Sequence, residues 1–243
     1  RNISFAADGG APEAWATAAM AVGQNYGLVE NVRNYADVTA ISCWVGGIVG
    51  TNEAEGRIRD CYNAGDITSG NSNAGGISGT NYGLIENCAN SGNVTVRKIA
   101  NFGSKYNFAG GITSTMSNGI VRNVLNVGRV EASETVGGIA GSLPKASVSG
   151  KGPGQNDIFG GVTYASVKCG EKASCGVVAG LAPNSARTEG TVLAYYDDQI
   201  AGCASYGNST AEGITGLATA RMISGEALQG LDAEHWQFDA GMY

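Results

Sequence analysis

Gly46-Gly47-Ile48-Val49-Gly50-Thr51-Asn52, then Gly56-Arg57-Ile58-Arg59-Asp60-Cys61-Tyr62-Asn63, then Gly65-Asp66-Ile67-Thr68, is the stretch that decides the fold, because the chain repeats it. The first phrase returns as Gly75-Gly76-Ile77-Ser78-Gly79, Gly110-Gly111-Ile112, Gly137-Gly138-Ile139-Ala140-Gly141 and Gly160-Gly161-Val162. Degenerate copies stand before and after, at Ala19-Met20-Ala21-Val22-Gly23 and Gly176-Val177-Val178-Ala179-Gly180. In chain order the starts are separated by 27, 29, 35, 27, 23 and 16 residues. A period of this size signals stacked units, each too small to bury an apolar face alone.

The second phrase recurs from Gly27, Gly56, Gly83 and Gly119, and it always ends on asparagine: Asn34, Asn63, Asn90 and Asn126. The third recurs as Ala36-Asp37-Val38-Thr39, Gly65-Asp66-Ile67-Thr68, Gly92-Asn93-Val94-Thr95 and Gly128-Arg129-Val130-Glu131. Alternation through Val32, Asn34, Ala36 and Val38 fits the two-residue period of a strand. Each unit therefore reads as three short β segments joined by Gly/Asn corners. Stacking would place like residues about 4.8 Å apart. The four asparagines would then form a column whose amides bond to one another and to corner backbone. The expected fold is an all-β, right-handed parallel β-solenoid (β-helix) of about six or seven coils, its hand taken from the rule for parallel crossovers. Residues 1–243 form one domain, with repeat coils over 19–190 and a final strand and small mixed C-terminal cap over 191–243. A β-sandwich, the structural rival, gives no reason for the asparagine column.

Composition agrees. Glycine supplies 39 of 243 residues without an every-third-residue register and with only 4 prolines, which excludes collagen. So much glycine disfavours helices, and 43% hydrophobic residues with a net charge of −6 disfavour disorder. The acidic balance argues against nucleic acid and anionic membrane as partners. No apolar run is long enough for membrane insertion. The chain opens on Arg1, which reads as a fragment or processed form.

The breaks in the repeat are where function is sought. The 35-residue interval carries an insertion in Val96–Phe108, VRKIANFGSKYNF. Insertions in repeat proteins map to one flank, often the binding flank. Lys98, Lys105, Tyr106 and Phe108 are the candidate ligand-binding residues, with packing against the sheet as the alternative. A second break, Leu143–Asp157, has no asparagine phrase and matches no phosphate loop. Pro12–Met20 reads either as a short helix or as a worn first coil. At the other end, Thr191–Tyr196 reads as the last strand and Thr219–Leu231 as a helix ended at Gly225 or Gly230. His235, Trp236 and Phe238 would cover the open end of the core.

No catalytic constellation emerges. His235 is the only histidine, and AEHWQF is neither a zinc-protease signature nor part of a nucleophile triad. Asp37 and Asp66 share a column that would suit calcium or a catalytic pair, although solvated strand-edge charges are the favoured reading; Asp60, Asp197 and Asp198 are the other carboxylates considered. No other cofactor is expected. Cys61 and Cys88 occupy the position of Val32 and Val124 and read as buried small hydrophobes. A bridge from Cys169 or Cys175 to Cys203 would staple the cap.

The unit GGIVGTN…GRIRDCYNAGDIT and its neighbour GGISGTNYGLIENCANSGNVT resemble the GLUG repeat family, over roughly Ala19 to Gly180. Such repeats occur in long bacterial surface or secreted proteins and in non-catalytic regions of IgA1-specific metallopeptidases. By that resemblance Gly46, Gly47, Gly75, Gly76, Gly110, Gly111, Gly137 and Gly138, with the four asparagines, are architectural. The resemblance implies an extracellular or cell-surface bacterial module for adhesion or display, with a host protein or glycan as partner and other domains of a larger surface protein as neighbours. Part of a carbohydrate-active enzyme or larger hydrolase, and a plain spacer, are the other readings.

Overall fold

The computed structural model describes residues 3–6, 16–41, 43–98, 107–143, 156–170, 174–181, 192–205, 207, 212–224, 228–232 and 234–236. They form a right-handed parallel β-solenoid with four sheets rather than three segments per coil. Along each coil the chain passes from a first sheet (Trp44–Gly46 in the second coil) to a second (Val49–Asn52), a third (Arg57–Arg59 and Tyr62–Asn63) and a fourth (Ile67–Gly70). The Gly-Gly-Ile phrase is thus a corner between two strands. Every described strand pairing is parallel, and equivalent residues stack: Gly46 on Gly75, Asn63 on Asn90, Ile67 on Val94.

The asparagine column is a continuous amide ladder. Asn34 Nδ2 donates to Asn63 Oδ1 at 2.7 Å, Asn63 to Asn90 at 2.7 Å, and Asn90 to Asn126 at 2.9 Å. Each amide also donates to the carbonyl two residues on, Ala36, Gly65, Gly92 or Gly128, at 2.8–2.9 Å. The apparent alternation from Val32 to Val38 is therefore two strands in different sheets, joined by an amide-braced corner. Thr163 occupies the next place, and its hydroxyl has no hydrogen-bond partner among the described residues.

The ladder does not merely line an outer corner. A Cβ added to Gly47, Gly76 or Gly111 would lie 2.4–2.6 Å from the side-chain Cγ of Asn63, Asn90 or Asn126 respectively. The glycine corner and the amide ladder therefore meet across the coil. They split the interior into two apolar lobes. One contains Ile48, Ile58, Ile77, Ile85, Ile112, Val121 and Ile139; the other contains Val38, Val45, Ile67, Val94, Val130 and Val136. A second ladder, not anticipated from the sequence, runs Asn25 to Asn52 to Asn81 at 2.8 Å per step between the second and third sheets. It ends where Met116 replaces asparagine.

The third sheet carries one left-handed residue per coil: Asn31, Asp60, Asn87, Asn123 and Gly160, with φ between 52° and 63°. Asn, Asp and Gly tolerate this conformation. It lets Ile58 and Cys61, three residues apart, both face the core. It also corrects the repeat alignment. Gly160-Gly161-Val162 lies inside the strand Asp157–Thr163 and pairs with Ile120–Asn126, so it is no copy of the corner phrase. Gly160 is glycine for its positive φ. The true successor of Gly137 is Gly176. At the start, Thr17–Ala19 pairs with Trp44–Gly46, so the worn-coil reading holds for residues 16–20, and Pro12 lies outside the described residues.

The C-terminal end also differs from expectation. Val192–Asp197 is followed by a further strand, Ile214–Leu217, at the edge of the third sheet. The helix spans Thr219–Ser224 among the described residues, and Gly225 lies outside them. Residues 201–205 cross the end of the stack: Val167, Val177 and Val178 donate their backbone N–H to Ala201, Ala204 and Ser205. Ala201 and Ser205 are buried there. His235 and Trp236 do not close that end, and Phe238 lies outside the described residues. The segment carrying them is docked instead on the outer face of the third sheet, where Leu228 and Leu231 pack with Val162, Tyr195, Leu217 and Met222.

A turn within that tail is closed by a titrating group. Asp232 accepts from Glu234 N at 2.9 Å and lies 2.8 Å from His235 Nδ1, while Asp232 N donates to Asn123 Oδ1 at 2.9 Å. The Glu234 N–H, and then His235, hold the Asp232 carboxyl below its usual range. A depressed carboxyl stabilises the turn it closes above its unperturbed pKa, and that contribution is lost as pH falls through the lowered value. Amide exchange around 231–236 should therefore accelerate as pH drops below about 4, corrected for intrinsic rates, and an Asp232→Asn variant should lose that dependence.

Candidate ligand-binding site

Strand alternation turns one column of the fourth sheet outward: Thr39, Thr68, Thr95, Glu131 and Lys168, in register. Their neighbours Val38, Ile67, Val94, Val130 and Val167 are buried. Towards the C-terminal coils the hydroxyls give way to charge and the face becomes concave. A cleft of about 470 Å³ opens there, lined by Thr95, Arg97, Arg129, Glu131, Lys168 and Gly170 among others. Its size falls within the roughly 300–1,000 Å³ of small-ligand sites. Arg129 pairs with Glu131 within the cleft. Arg97 and Lys168 make no ion pair among the described residues.

The insertion is flanked by this cleft: the fourth-sheet strand Val94–Arg97 precedes it in the chain and the first-sheet strand Phe108–Gly110 follows it. Of the residues expected to bind, Lys98 is exposed and pairs with Glu134 at 3.7 Å. Phe108 belongs to the strand, opposite Thr135, and not to the loop. Lys105 and Tyr106 lie outside the described residues. Arg97, Arg129, Glu131 and Lys168 were not singled out in the sequence. A signal existed at Glu131, which breaks a column of threonines; Lys168 was hidden by the misaligned Gly160 unit.

A disulfide between Cys169 and Cys175, with Cα atoms 5.9 Å apart, ties the fourth sheet to the first at the cleft's far edge. The expected bridge to Cys203 is thus not formed, and Cys203 is a free thiol whose burial pushes its pKa to about 11. Cys43, Cys61 and Cys88 are also free and buried, and burial raises the Cys43 and Cys88 thiols. A hydrogen bond with Cys88 lowers the Cys61 thiol, whereas Cys43, Cys88 and Cys203 stay protonated and serve packing.

The acidic candidates are used structurally. Asp37 Oδ1 accepts from Asp66 N at 2.9 Å, and Asp66 Oδ1 from Asn93 N at 2.8 Å, so this column braces successive corners. Asp197 accepts from Gln199 N at 2.9 Å and from the Thr219 hydroxyl at 2.5 Å. On the third sheet Glu30, Arg59, Glu86 and Arg122 form an alternating column, with Glu30–Arg59 and Glu86–Arg122 ion pairs. Among the described residues, no group of three or more His, Cys, Asp or Glu side chains is placed to hold a metal ion. No helix of the described residues is long and apolar enough to cross a membrane.

No curated protein and no solved structure matches the chain. Residues 44–68, which run from the first-sheet strand at Trp44 through the corner glycines and Asn63 into the fourth-sheet strand, match the GLUG motif, so that one coil of the solenoid carries the motif.

Proposed function

We propose that this chain is a non-catalytic repeat module of a bacterial cell-surface or secreted protein, and that it binds a host glycoprotein or glycan on its fourth-sheet flank. The observation that carries the reading is the division of labour among polar residues. The recurring asparagines and the Asp37–Asp66–Asn93 column are consumed in holding coils together. The cleft around Arg97 and Lys168, at the root of the insertion, instead presents polar groups outward. Stacked repeats extend such a surface over several coils. Other domains of a larger surface protein would flank the module.

The test is binding of the full chain to an array of glycans and immobilised glycoproteins. Specific binding is expected, and a Lys98→Ala/Lys105→Ala/Tyr106→Ala variant should weaken it about tenfold. Undiminished binding would remove the insertion from the site. A chain that binds nothing on the array would be a spacer, and the proposal would fall.

A further inference from the structure

Resting on that reading, we infer that the fourth-sheet cleft recognises an acidic polysaccharide, one bearing carboxylate or sulfate groups along its length. Three cations and one carboxylate, Arg97, Arg129, Lys168 and Glu131, line it. The chain as a whole carries a formal charge of −6, so this is a local reversal of sign and not a general basic character. A concave wall focuses such a field on an anion.

The arrangement suits a polymer more than a single ion. The cations lie on three successive coils: Arg97 on the strand Val94–Arg97, Arg129 beside Val130–Ala132, and Lys168 on Val167–Cys169. In register, Arg129 stands two residues before and Arg97 two residues after the Thr95–Glu131–Lys168 column, so the three cations spread over about 13 Å across the strands and about 10 Å along the stack, a footprint that meets anionic groups on successive sugars of a chain. The column of Lys168 and Glu131 continues below as Thr95, Thr68 and Thr39, which offers hydroxyls beside the two arginines for the ligand's own hydroxyl groups. Arginine gives paired donors to a carboxylate or sulfate. Glu131 is the opposing element: it occupies Arg129 and would repel an anionic chain.

The test uses the full chain and three soluble polymers: polygalacturonate for carboxylate, heparin for sulfate and dextran as neutral control. Binding to at least one acidic polymer is expected, weakening as salt is raised, with dextran not bound. The two acidic polymers tell which anion is read. Arg97→Gln/Lys168→Gln should weaken the interaction about tenfold or more. Glu131→Gln should strengthen it about threefold. Arg57→Gln, on the third sheet, should leave it unchanged. Thermal melts of each variant establish that the fold is intact, as expected for exposed side chains. Acid-polymer binding that survives the double variant, or fails to strengthen with Glu131→Gln, overturns the inference. So does binding confined to neutral glycans or glycoproteins, which would leave the broader proposal standing. Binding to no polymer and no array member removes both.

Discussion

Alanine at Gly76 should severely destabilise the native fold, although it adds one methyl group. The added Cβ would lie 2.2 Å from the Gly111 carbonyl oxygen of the next coil and 2.4 Å from Asn90 Cγ. The first is backbone held by the interstrand ladder, with Gly111 N itself bonded to Gly137 O at 3.1 Å, so it cannot swing aside. Relief requires separating two coils at their narrowest point and stretching the amide ladder opposite. A cost of about 4 kcal/mol or more is expected, from overpacking that the backbone cannot relax. Denaturant unfolding followed by circular dichroism measures it. Gly27→Ala is the control, because nothing lies within 4 Å of its added Cβ; it should change stability by less than about 0.5 kcal/mol. Adding Asn90→Ala to Gly76→Ala should give no rescue, since the nearest obstacle is the carbonyl and not the amide. A Gly76→Ala protein with a near-normal midpoint would refute the close-packed waist.

Asn90→Ala alone should cost about 3 kcal/mol. The side chain accepts from Asn63 at 2.7 Å and donates to Asn126 Oδ1 at 2.9 Å and Gly92 O at 2.8 Å, all out of contact with water. Alanine leaves those groups short of partners in the dry waist, and buried polar groups without partners are costly. The opposite change is available at the ladder's end. Thr163→Asn places an amide beside Asn126, where the threonine hydroxyl now bonds to no described residue. A stabilisation of about 1 kcal/mol is expected in the same unfolding assay. If Asn90→Ala were neutral, the ladder would be an accident of stacking and not a support.

How far the sequence foretold these features depends on whether a residue has one reason or two to be where it is. Asparagine recurring at position 34 and its equivalents has one economical explanation in a stack, and the ladder follows from it. Glycine has at least two uses, close approach and positive φ. Gly76 exemplifies the first and Gly160 the second. A pattern of letters does not separate them, so Gly160-Gly161-Val162 inside a strand reads like the corner phrase and Lys168 falls out of line with Glu131. That the ladder would face Gly47, Gly76 and Gly111 across the coil was not readable either, because it depends on how tightly four short sheets close. The cleft needs side chains from three coils together with the curvature between them. The docked tail rests on Leu228 and Leu231 meeting the outer face of a sheet, a contact that no local spacing announces.

The parallel pairing has a mechanical consequence. Backbone bonds and amide rungs alike run along the axis of the stack, so tension applied between its two ends loads them one layer at a time and not all together. The solenoid should yield coil by coil, like a zipper. Each coil of 29 residues, the spacing from Gly46 to Gly75, would release about 100 Å of chain when it opens. Such a module dissipates force in small, repeated steps, and the disulfide between Cys169 and Cys175 withholds the short segment it encloses from that extension.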